Sequence, residues 1–343
     1  MGKDKSGYNI GISILKSLMC FEVVMCHCFE LPDNAPGFIR FVTSFRSIAV
    51  PTFMFLSFFF FYKTLANKND FSIRKRIIRL YIPLAGWAVI YFAFAWVYRL
   101  FVDTEELKFS SLIWQLITGH SSQLNPSMWF QSVLIVLTVL FFLCTKYCKK
   151  YSTYIFIFLL LFSLVWQYSN IYSCVNELQY ELKYPIGRFF EMIPCALAGY
   201  YVASVNLLDR LKEKWKETLV FFIPAIFLNW RFVFFAPAGG YGYEGIRGTI
   251  VAFMLVAVFY VIPFEKVSEK TYKCVMKITR YTLGIYCMHR LVFLYLNIAF
   301  IHWNIGVAIT SLWLSAMVYI ICWLVSHVCT CFFKNNVIRD MCE

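Results

Sequence analysis

Apolar residues run along this chain in long windows, and the polar residues collect in short patches between them. A window of about 20 apolar residues is what an α-helix needs to cross the hydrocarbon of a bilayer. The pattern predicts ten such helices, at 9–29, 41–62, 79–101, 128–146, 152–170, 186–204, 218–236, 247–264, 281–301 and 305–333. No intervening loop is long enough for a second folded domain. Residues 1–343 therefore read as one all-α, polytopic transmembrane helical bundle.

The basic residues orient the bundle. With the N-terminus placed in the cytoplasm, 22 of the 32 lysines and arginines fall in inside segments. Nine lie on or near the outer side, and Lys16 is inside the first helix. The positive-inside rule then puts both termini in the cytoplasm and requires an even number of spans. The polar leader MGKDKSGYN has no small-residue cleavage site after it, so the first hydrophobic run reads as a retained span. Pro83, near the start of the third predicted span, fits a first-turn proline.

Composition agrees and removes other classes. Charged residues are only 15% of the chain against 60% hydrophobic, where a soluble domain carries about 25% charged. The net charge of +13 is spread over short juxtamembrane loops, which suits contact with membrane lipids and not with nucleic acid. The 13 cysteines form no C-x-x-C pair. Cys26 and Cys28 flank His27 on different helix faces, so no tetrahedral metal site is expected there. The others read as small hydrophobes. There is no internal repeat and no Walker or Rossmann glycine pattern.

Chemistry is expected where ionisable residues enter the apolar windows, because a charge at the bilayer centre costs about 2.5–3.5 kcal/mol or more. Lys16 and His27 are eleven residues apart in the first window. That is three turns plus about 20°, so both leave the same face, roughly 16 Å apart along the axis. Glu30, one turn further on, is placed to orient the His27 ring. Glu22 points away from that face. Taken singly, Lys16 could snorkel to the inner interface and His27 could be a satisfied interior histidine. Their alignment on one face favours function.

Arg74, Lys75, Arg76 and Arg79 lie at the cytoplasmic mouth of the third span. They suit the phosphates of a nucleotide-like donor, although an orientation signal and lipid attraction account for them as well. Trp129 opens the fourth span in NPSMWF and fits an interfacial belt. Tyr286, His289 and Arg290 fall midway across the ninth, which implies a polar cavity. His120, His302 and His327 carry no distinguishing context.

Together these motifs resemble acyltransferase family 3 along essentially the whole chain. Lys16-SLMCFEVVMC-His27 matches the family's arginine, ten residues, histidine pattern, with lysine replacing arginine. VPTFMFLSF keeps Ser57 of a Ser-Gly motif but has Phe58 in place of the glycine. Arg76-II-Arg79-LYI-Pro83, the MWF at Trp129 and Tyr286-CM-His289 follow in order. There is no C-terminal esterase-like domain of the kind some longer relatives carry, so the chain reads as the stand-alone form.

The resemblance implies an integral-membrane O-acyltransferase of the bacterial cell (inner) membrane. It would move an acyl group from cytoplasmic acyl-CoA, acetyl-CoA foremost, to a hydroxyl of an extracytoplasmic glycan or lipid-linked sugar, without a metal. His27 would be catalytic, with Lys16 and Glu30 assisting. Lys16, Arg74, Lys75, Arg76 and Arg79 would bind the donor, and Trp129, Tyr286, His289 and Arg290 the acceptor. A homo-oligomer is compatible with this. The rival readings are a transporter or flippase for a lipid-linked glycan, and a non-catalytic scaffold descended from the enzymes.

Overall fold

The computed structural model of the protein describes residues 9–28, 36–67, 71–99, 106–169, 180–234, 245–264, 267–302, 312–332 and 336–342. Among them the chain is helical apart from short turns and connections, with no strand. The elements are α1 (Ile10–Cys28), α2 (Gly37–Ser44), α3 (Arg46–Asn67), α4 (Ile73–Arg99), α5 (Phe109–Thr118), a 3-10 turn (Pro126–Met128), α6 (Trp129–Tyr147), α7 (Ser152–Tyr168) and α8 (Tyr180–Ser204). They continue with α9 (Leu207–Glu213), α10 (Trp215–Phe234), α11 (Gly245–Val261), α12 (Glu269–Thr279), α13 (Thr282–His302), α14 (Leu312–Phe332) and α15 (Asn336–Cys342).

Each of the ten apolar windows contains a helix among the described residues, but not all of these helices are long. Among the described residues, six helical units are long and apolar enough to cross a membrane: Ile10–Cys28, Gly37–Ala66, Ile73–Arg99, Pro126–Tyr147, Thr282–Phe300 and Leu312–Phe332. The pair Leu182–Ser204 and Leu207–Glu213, bent by 62° at its break, makes a seventh if the two helices form one span. Helices α7 and α11 are apolar but only 17 residues long. Helix α10 contains Pro224 and is not among the six.

One boundary differs from expectation in an informative way. Helix α4 begins at Ile73, so Pro83 lies well inside it and is not a first-turn residue. The basic stretch before the apolar window has continued the same helix.

Helix α1 is the partition of the bundle. On one side it packs against α3 and α11, on the other against α13 and α14. Asn9 fixes its start: the side-chain oxygen accepts from the Ile12 N–H at 3.1 Å, and the amide donates to the Tyr260 carbonyl at 2.9 Å. Close by, Lys63 of α3 pairs with Asp209 of α9 at 2.9 Å, and the Tyr260 hydroxyl donates to the same carboxylate. The start of α1 and the ends of α3 and α11 are thus stapled together. At the chain's end, α15 is seated against α4, α13 and α14, with Trp87 Nε1 donating to the Met341 carbonyl at 3.2 Å.

Outside the spans, α12 is a basic amphipathic helix against α1, capped by Ser268, whose side chain accepts from the Thr271 N–H. The Lys273 ammonium, 2.7 Å from Glu269 one turn away, holds that carboxyl below its ordinary value.

Candidate functional site

Helices α1 and α13 run parallel and in contact. The Cys20 thiol donates to the Thr282 carbonyl at 3.3 Å. Seven residues further along each helix, the His27 and His289 rings lie 5.1 Å apart, tilted by 33°. Seven residues are about two turns, so one face of each helix carries both contacts.

A third element enters at the start of α6. The Asn125 side chain accepts from the Ser127 N–H at 2.9 Å, and Pro126 occupies the first turn, where its missing N–H is no loss. Gly119 makes the approach to this turn. Its φ is +68°, and a Cβ there would meet the Met128 carbonyl oxygen at 2.5 Å. The result presents Ser127 to the histidines. Its Oγ is 3.2 Å from His27 Nε2 and accepts from Arg290 Nη1 at 3.3 Å. The Tyr286 hydroxyl donates to the Ser127 carbonyl.

The turn of α13 that carries His289 is held from α4. The Tyr91 hydroxyl donates to the Cys287 carbonyl at 2.9 Å and accepts from the Leu291 N–H at 3.1 Å, engaging both ends of one helical turn. His289 is fully buried, and its Nδ1–H donates to the Tyr286 carbonyl at 2.6 Å. Its Nε2 is buried without a hydrogen-bond partner among the described residues. Such a group costs about 1–3 kcal/mol relative to a satisfied one. Unsatisfied buried polar atoms are few in native proteins, so this one calls for an explanation.

Aromatic and cationic groups wall the cluster. Trp129 is 3% exposed and lies edge-on to Phe130 and Tyr184. It is therefore inside the protein and not a belt residue at the lipid surface. The Arg188 guanidinium sits over the Tyr184 ring at 4.7 Å and the Trp129 ring at 5.8 Å, and pairs with Glu191 at 2.5 Å. His120, bland in sequence, is fully buried with its ring stacked on Tyr184 at 4.6 Å.

The structure thus gathers His27, Tyr286, His289 and Arg290, with Trp129 in the surrounding wall. Lys16 is half-buried nearer the other end of α1, outside this cluster. Arg74, Lys75 and Arg79 are exposed on the first turns of α4. Arg76 instead turns inward, donating from Nη2 to the Ser57 carbonyl at 3.2 Å and lying 5.0 Å over the Phe61 ring. Glu30 lies outside the described residues. Ser127, Tyr91 and Arg188 were not expected. Only Ser127 had a local signal, the Asn-Pro-Ser turn at a span start.

The family model of acyltransferase family 3, described as an acyltransferase domain, matches residues 9–327, nearly the whole chain. No curated protein and no solved structure matches it.

Proposed function

The chain belongs to acyltransferase family 3, and from that premise we propose an O-acyltransferase that moves an acyl group, acetyl foremost, from cytoplasmic acyl-CoA to a hydroxyl of an extracytoplasmic glycan or lipid-linked sugar. The helices long and apolar enough to cross a membrane make it an integral membrane protein. Our reading of the topology is ten spans with both termini cytoplasmic, in a bacterial inner membrane. One observation carries the reading of the site. His27, Ser127, His289 and Arg290, drawn from three helical elements, meet within hydrogen-bond or ring-contact distance inside an apolar bundle.

The placement of the other cations supports a donor end and an acceptor end. Lys16, on the half of α1 towards the Asn9–Tyr260 contact, would help hold the donor within the bundle. Arg79, Arg74 and Lys75 would meet its phosphates from the exposed start of α4. His27 would act at the thioester, either as a general base or as a transient acyl carrier. Arg290 would supply fixed positive charge beside the carbonyl oxygen that becomes negative in the tetrahedral intermediate.

The direct test is release of coenzyme A with appearance of an acyl ester, catalysed by purified protein in detergent. A transporter or flippase releases none. Mass spectrometry of surface glycans from cells with and without the protein identifies the acceptor, as a lost acetyl mass.

The basic residues of α4 give a second prediction. Arg79→Ala is expected to raise the KM for acyl-CoA several-fold with an unchanged melting temperature, because its side chain is exposed. Arg76→Ala is expected to cost about 1–3 kcal/mol of stability, because it removes a charged donor from the part-buried Ser57 carbonyl and the cation over Phe61. Matched thermal melts and donor titrations of the two variants decide it. An Arg79→Ala protein with wild-type donor KM removes Arg79 from the donor site.

A further inference from the structure

The two histidines of the cluster differ in what their ring nitrogens already hold. His27 Nε2 has the Ser127 hydroxyl at 3.2 Å. His289 has its Nδ1–H committed to the Tyr286 carbonyl at 2.6 Å, so the neutral ring keeps its proton there and Nε2 is a bare acceptor. That nitrogen is buried and without a partner among the described residues, on a ring 5.1 Å from that of His27. Turning the ring would surrender the Tyr286 bond. The turn that carries it is clamped by Tyr91 through the Cys287 carbonyl and the Leu291 N–H. The guanidinium of the next residue, Arg290, is directed through Nη1 at Ser127. A buried acceptor held open on a clamped ring is a seat for a donor that arrives with a ligand.

Resting on the acyltransferase reading, we infer that His289, and not His27, receives the acceptor hydroxyl and removes its proton. His27 then serves the donor side. The step balances as follows. The acceptor O–H donates to His289 Nε2, and its proton passes to that nitrogen as the oxygen bonds to the acyl carbon. The C–S bond of the thioester breaks. Coenzyme A leaves as the thiolate and takes a proton from solvent, and the His289 imidazolium returns its own proton to solvent. The ligand class for this seat is an alcohol, which needs a base. A nucleophile that is already unprotonated at neutral pH does not.

That difference is the test. Membranes carrying the full chain receive labelled acetyl-CoA in two arms. One measures alkali-labile acetyl ester on the endogenous hydroxyl acceptor, and the other measures acetohydroxamate formed with added hydroxylamine, corrected for the protein-free rate. His289→Gln is expected to lower ester formation by about 10²-fold or more and to keep hydroxamate formation within about threefold of wild type. His27→Ala is expected to lose both products.

If His289→Gln does not fold, His289→Asn retains a donor for the Tyr286 carbonyl and takes its place. The inference is overturned by a folded variant that keeps ester formation. It is equally overturned by a folded variant that loses both products, since His289 then has no role particular to the acceptor. Wild-type membranes that make neither product sink the acyl-CoA reading itself, and this inference with it. That result is distinguishable because it precedes any variant.

Discussion

His27→Ala is expected to lower acyl transfer by about 10²–10⁴-fold, the range that a positioned acid–base or nucleophilic imidazole supplies. The protein should still insert, extract into detergent and melt close to wild type. The reason is local. His27 lies near the C-terminal end of α1 and is only half-buried, and the Ser127 hydroxyl it meets also accepts from Arg290. Removing the ring therefore leaves Ser127 Oγ with a cationic donor and does not orphan it. The apolar face that holds α1 in place, including Leu15, Met19, Val23 and Val24, is untouched. Coenzyme A release and size-exclusion profiles on the same preparation separate the two effects. A monodisperse variant with more than a tenth of wild-type activity would falsify the assignment. His27→Gln refines the result, because an amide keeps a hydrogen bond to Ser127 but neither carries an acyl group nor accepts a proton as imidazole does. Activity restored by Gln would mean that His27 only positions Ser127.

The alignment of Lys16 with His27 was legible because helical periodicity is a local property. So was the polar turn around Tyr286, His289 and Arg290, because isolated ionisable groups in an apolar window stand out against their cost. What brings them together was not legible. That His27 meets His289 depends on α1 and α13 running parallel in a register set by the Cys20–Thr282 contact, and pairing between distant helices leaves no mark on either sequence alone. Tyr91 is the clearest case. It reads as one more aromatic in a membrane helix, yet its hydroxyl holds both ends of the turn that carries His289. Trp129 shows the opposite error. An aromatic at the end of an apolar window suggests the lipid interface, but Arg188 and Tyr184 from α8 enclose it. The basic run before Pro83 misplaced the start of α4 for a simple reason. Lysine and arginine are good helix formers, so the helix outruns its apolar window.

Phe58 stands in α3 where the family's glycine would let two helices approach closely. The small residue comes instead from the partner helix. Gly199 of α8 faces the backbone of α3 so closely that a Cβ built there lies 2.1 Å from the Phe55 carbonyl oxygen and 2.9 Å from its carbon. Phe58 itself is fully buried, packed on Phe61 and Phe141. Two effects of opposite sign meet in Gly199→Ala. Alanine gains about 1 kcal/mol over glycine in a helix interior. Overpacking costs about 1–3 kcal/mol when side chains can yield. Here the obstacle is backbone, which cannot rotate aside, so α3 and α8 must separate, and the loss is expected at or above the top of that range. Gly199→Val should be worse still.

Gly37→Ala is the control, since nothing lies within 4 Å of its added carbon. Melting curves in detergent by fluorescence-detected size exclusion measure all three. A Gly199→Ala protein that melts at or above wild type refutes the close approach. Activity adds a second reading. Helix α8 carries Tyr184 and Arg188, which wall the cluster around Trp129, so a variant that survives folding with its helices forced apart should still transfer acyl groups more slowly than its stability alone explains.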